Sequence, residues 1–184
     1  MPISLTEVLD TVRMTEADAF DIRTVTLGIS LRGCASRDAE STRRNIYDRI
    51  TKTAEQHVAA AQDVERQYGV RIANKRVSIT PAAIAAEGLD AGGFVRLAET
   101  LDQAAAEVGV DYLAGFSALV EKGSTPGDAA LIEALPEALA TTARVCGSVA
   151  CGSTQAGINA DAVLQVARAI KGMAARTADR DSIG

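Results

Sequence analysis

Apolar positions recur along this chain in two alternating rhythms, one of about 3.6 residues and one close to 2. Ser4-Leu5-Thr6-Glu7 has the S-x-x-E form of a capping box, and Leu5, Val8, Leu9 and Val12 follow at helical spacing. This predicts a first helix ending near Met14. Ile22 to Leu31 is rich in β-branched residues and predicts a strand. Ser36 or Asp38 then caps one long helix running to Tyr68, with Ala39, Ile46, Ile50, Val58, Val64 and Tyr68 on one face and Gly69 as its stop. Val70 to Thr80 is a second strand. Thr80-Pro81 reads as a cap followed by a first helical residue. Phe94, Leu97, Ala98, Leu101, Ala104 and Val108 mark another amphipathic helix, closed by Gly109.

Val110 to Val120 predicts a third strand, and Thr125-Pro126-Gly127-Asp128 a helix entry. Leu131, Ile132, Leu135 and Leu139 continue that helix, with a break expected at Pro136. Thr142 to Val149 is a fourth strand. Asn159 caps a last helix carrying Val163, Val166, Ile170 and Met173. Strands alternating with helices predict a single α/β domain over residues 1–184 with mostly parallel strands. Ligands in such sheets sit beyond the carboxyl ends of strands, so the loops after Leu31, Val77, Val120 and Val149 are the ones to watch.

The 184 residues suffice for one sizeable core. A net charge of −5 argues against nonspecific binding to nucleic acid or to an anionic membrane. Aromatics are only 3% and Trp is absent, which disfavours stacking on bases. No apolar run reaches the roughly 20 residues of a membrane span. Glu7 and Asp10 stand where a signal peptide would need basic residues. Three cysteines, an odd number, do not make a disulfide framework and point to a reducing cytoplasm. The end, Arg180-Asp181-Ser182-Ile183-Gly184, has no tail character. It suggests a piece of a larger protein.

Val145 to Asp161, VCGSVACGSTQAGINAD, crowds glycines, hydroxyls and two cysteines between a strand and a helix. Glycines let backbone approach a ligand, and free N–H groups ahead of a helix hold anions. Four blocks stand out: Asp21 to Leu31, Asn74 to Pro81, Val110 to Gly123 and Gly152 to Asn159. Together they resemble an uncharacterised bacterial and archaeal family, uncharacterised protein family 0210, also described as domain-of-unknown-function family 711. The resemblance implies the N-terminal part of an α/β barrel like that of pyruvate formate-lyase-type glycyl radical enzymes, in a protein more than twice this length. It implies no reaction. The family usually has Ser-Val-Asn before its Gly-Ser-Thr loop, whereas this chain has Ala150 and Cys151 there.

The candidate chemistry is limited. Cys151 is the first candidate for covalent catalysis. Cys146 lies five residues earlier, an odd separation that puts the two thiols on opposite strand faces. His57, mid-helix, reads as a surface residue. One His and no C-x-x-C spacing give no metal site, and no cofactor is indicated. Asn74-Lys75-Arg76 interrupts an apolar strand, with Asn74 and Arg76 on one face. Arg23 is similarly placed in the first strand, and Arg suits carboxylate or phosphate. Ser153 and Thr154 offer an anion-holding turn ahead of Asn159, and Ser117 and Ser148 can add hydrogen bonds. The expectation is a small-molecule enzyme of unknown reaction that binds an anionic metabolite through Arg23, Asn74, Arg76 and the Ser153-Thr154 loop. The alternatives are a noncatalytic metabolite-binding module, or a structural subunit that self-associates or is completed by a missing C-terminal half.

Overall fold

The computed structural model describes residues 4–13 and 22–180. The Met14 helix end and the last four residues lie outside these. Four strands, β1 (Val25–Ile29), β2 (Lys75–Ile79), β3 (Tyr112–Leu119) and β4 (Val145–Ala150), form one sheet in the order β1-β2-β3-β4. Every pairing is parallel. Each is shorter than the apolar run that predicts it. The flanks lose ladder partners, although Ile22 and Ile72 still form an isolated parallel bridge.

Helix α1 (Leu5–Val12) opens with the expected capping box, in which Ser4 and Glu7 bond each other's backbone N–H. The long helix expected from Asp38 to Tyr68 is instead two, α2 (Ala39–Ala54) and α3 (His57–Tyr68). The break serves two supports. Tyr47 on α2 bonds Glu107 of α5 (Ala91–Val108), while Glu65 on α3 receives Lys75 Nζ from β2 at 3.0 Å. Thr80 does not cap a helix. Its hydroxyl oxygen accepts the Leu31 N–H at 3.1 Å, joining the ends of β1 and β2. Only a single turn, α4 (Ala82–Ala85), follows.

Helix α6 (Pro126–Thr141) is entered by a Thr125–Asp128 capping box and runs unbroken through Pro136. Gly172 of α7 (Ala160–Arg176) explains part of this. A Cβ at Gly172 would lie 3.3 Å from the Pro136 ring, so the glycine gives the ring its room. A two-residue hairpin, β5 (Gly152–Ser153) with β6 (Gly157–Ile158), sits between β4 and α7.

The helices form one layer in chain order, α2 against α5, α5 against α6, and α6 against α7. The core lies between that layer and the sheet. Ile29, Val77, Ile79, Leu113, Phe116 and Ala118 are buried there, and Phe94 meets Phe116 edge to face at 6.3 Å. The other sheet face is uncovered among the described residues. Thr26, Arg76 and Tyr112 are consecutive in register across it, followed by Ala114 beside Cys146 and Ser117 beside Ser148. Parallel sheets are normally covered on both faces. This one leaves a mixed surface open, small and polar in its middle, with Tyr112 and Leu119 exposed at its ends.

Candidate functional site

Of the sequence-predicted polar residues, Arg76, Ser117 and Ser148 lie on the uncovered face, and the others form one group at each end of the sheet. The first is at the amino end. Asn74 Nδ2 donates to the Arg23 carbonyl at 3.2 Å, and the Asn74 carbonyl accepts the Val25 N–H at 3.0 Å. Asn74 therefore braces the start of β1 through the Arg23 backbone, while the Arg23 residue is exposed. Arg76 follows on β2, its guanidinium carbon 5.3 Å from the centre of the Tyr112 ring. Its Nε is buried and has no acceptor among the described residues. Asn74, Asp111, Tyr112 and Arg144 line a cavity of about 380 Å³ at this end.

The second group is at the carboxyl end of β4. Arg76 pairs with Tyr112 at the start of β3, and Ala150 pairs with Leu119 at its end. Strand rise puts those positions about 23 Å apart. Cys151, Ser153, Thr154 and Asn159 lie beyond the second, so the two groups do not meet within this chain. Much of the second group serves local structure. Asn159 Oδ1 accepts the Ala162 N–H at 3.1 Å and Nδ2 donates to the Val120 carbonyl at 2.8 Å. Ser153 Oγ accepts the Ala156 N–H at 3.0 Å inside the hairpin turn. The Cys151 thiol donates to the Val149 carbonyl at 3.8 Å, and its side chain packs against the core. Thr154 is exposed. Between the groups, Ser117 is buried and donates to the Gly115 carbonyl at 3.3 Å, while its neighbour Ser148 is exposed.

Sequence reasoning ranked Cys151 ahead of Cys146 and missed several other groups. Cys146, not Cys151, is exposed on the open face. Burial pushes its thiol above the ordinary value, and the Arg76 charge pulls it partly back. Tyr112 and Arg144 join Asn74 only through strand register, which no local pattern reveals. Glu121, the first residue past Val120, has a buried Oε2 without a partner among the described residues, and the position of that loop was its signal. His57, expected at the surface, is half-buried, and among the described residues its buried Nε2 has no partner. Near the end of β1, Asn45, Asp48, Arg49 and Lys52 line a polar cavity of about 700 Å³. Among the described residues no three His, Cys, Asp or Glu side chains gather as a metal site, and no helix is long and apolar enough to cross a membrane.

Residues 13–184 match the family described as Uncharacterised ACR (DUF711). The chain is 52% identical over 182 residues to a "UPF0210 protein" of Pelotomaculum thermopropionicum, covering 99% of this chain and 40% of that protein. It is 52% identical over 180 residues to a "UPF0210 protein" of Desulforamulus reducens, covering 98% and 40%. For the "UPF0210 protein" of Methanosarcina mazei the identity is 50% over 184 residues, covering 100% and 41%. The chain thus spans about two-fifths of the length of the curated relatives it matches. With a family match over nearly its whole length and half its residues shared with these relatives, the chain belongs to the uncharacterised DUF711 family.

Proposed function

We propose that this chain supplies one wall of a small-molecule enzyme, and that a small anionic metabolite binds on the open face of the sheet with Arg76 holding its charge. The observation that carries this reading is the Arg76 guanidinium. It stands on a face with no helix over it, Nε is buried without an acceptor, and among the described residues it forms no ion pair. A buried donor without a partner is unfavourable, and a carboxylate or phosphate satisfies it. The surrounding face carries Thr26, Ser78, Ala114, Cys146 and Ser148, with the larger Tyr112 and Leu119 exposed at its two ends.

The wider architecture in this reading is a barrel like that of the glycyl radical enzymes, with these four strands as its N-terminal part. Sequential strand order, one helical layer and the greater length of the relatives support it. The odd cysteine count supports a cytoplasmic setting. Isothermal titration against a panel of carboxylates and phosphates tests the anion reading. Arg76→Ala should abolish the heat of any binder, and unchanged affinity refutes the assignment. A product search by mass spectrometry then separates turnover from simple sensing.

A second reading, a structural subunit completed by further polypeptide, is favoured by exposed apolar groups. Val163, Leu164 and Ile170 on α7 and Leu5, Val8 and Leu9 on α1 all face solvent. Self-association measured by light scattering, with no binding of any anion, favours this alternative.

A further inference from the structure

The open face brings a thiol near the unpaired guanidinium. Arg76 lies opposite Tyr112, and Cys146 lies opposite Ala114, two residues further along β3. Two strand spacings and two residue steps put the Cα atoms of Arg76 and Cys146 about 12 Å apart. The Arg76 side chain closes part of that gap, because it leans over the Tyr112 ring on the intervening strand. Cys146 is exposed, whereas Cys34 is buried and the Cys151 thiol is half-buried and bonded to a carbonyl. Ser148 stands on the same face two residues beyond Cys146 and is exposed.

We propose that Arg76 and Cys146 form a subsite for a small carboxylate bearing an electrophilic carbon, with Arg76 gripping the carboxylate and the Cys146 sulfur within reach of the carbon. This rests on the reading of Arg76 as the anion-holding group and adds to it a substrate class and a reacting atom. The step is a displacement. The Cys146 thiol loses its proton to solvent, the thiolate forms an S–C bond, and the bond from that carbon to its leaving group breaks with the electron pair departing on that group.

Iodoacetate and iodoacetamide are matched probes, since both lose iodide and only the first carries a carboxylate. The chain is alkylated with each in alkaline buffer, and Cys146, Cys151 and Cys34 are followed separately by peptide mass spectrometry. The iodoacetate-to-iodoacetamide rate ratio at Cys146 should exceed that at Cys151 by about tenfold, the scale of one charge-assisted hydrogen bond. Arg76→Gln should erase the excess and Arg76→Lys should keep part of it. Sodium acetate should slow carboxymethylation of Cys146 in the unaltered chain, a readout that needs no variant to fold. An equal ratio at the two cysteines, with no protection by acetate, overturns the subsite. If titration still finds Arg76-dependent anion binding in that case, the anion reading stands and only the thiol assignment falls. If neither is found, both fall.

Discussion

Asp102 on α5 holds the entrance to β4: its Oδ1 accepts the backbone N–H of Ala143 at 3.0 Å and of Arg144 at 2.7 Å. One half-buried carboxylate thus sets where Cys146 and Ser148 begin to line the open face. Asp102→Ala leaves both N–H groups without that acceptor and should cost about 2 kcal/mol. Asp102→Asn keeps one carbonyl oxygen and should recover part of the loss. Urea denaturation of the two variants checks the order.

Gly115 makes the bulge that brings Ser117 level with Ser148. Its φ is +116°, and a Cβ there would lie 2.6 Å from the Ile79 carbonyl oxygen and 2.5 Å from its Cγ1. The backbone of β2 cannot swing away without breaking the ladder. Gly115→Ala should therefore destabilise the protein by about 3 kcal/mol or more, read from the urea midpoint.

Asn159 bonds in two directions, capping α7 and reaching the Val120 carbonyl on the neighbouring loop. Asn159→Ala should cost about 1–2 kcal/mol. Asn159→Asp keeps the cap but loses the donor to Val120, so its melting temperature should fall between those of Asn159→Ala and the unaltered chain.

Glu65 predicts a pH effect of definite sign. The Ile72 N–H, and then the Lys75 ammonium, hold its carboxyl below the usual 4.5. A lowered value means that the charged form is favoured on folding. The contribution is therefore full above the ordinary value and is lost as pH falls through the native one. The stability gap between the unaltered chain and Glu65→Gln should be constant near neutrality and shrink in acid. A gap that widens in acid contradicts the assignment.

The alternating plan was legible because each element carries its own period and its own stop, such as Gly69 and Gly109, both left-handed helix ends. What local pattern could not carry was support from elsewhere in the fold. The Asp38–Tyr68 helix splits because its halves rest on α5 and on β2. Pro136 is tolerated because Gly172, distant in sequence, makes room for its ring. The candidate residues were legible one by one but not by depth along the strands. Alternation gives a residue's face, while only register tells that Arg76 sits at the opposite end of the sheet from Thr154. The same blindness ranked Cys146 behind Cys151, because its interest lies in an arginine two strands away.

Each strand of this sheet pairs only with strands adjacent to it in chain order, and α6 and α7 each pack on the helix before them. Every pairing is nevertheless a parallel crossover, as between Val25 and Lys75, so each strand can dock only after the helical segment behind it has been made. The uncovered side matters during that wait, because a half-built sheet presenting hydroxyls and a guanidinium over most of its width offers nascent neighbours little to stick to beyond Leu119.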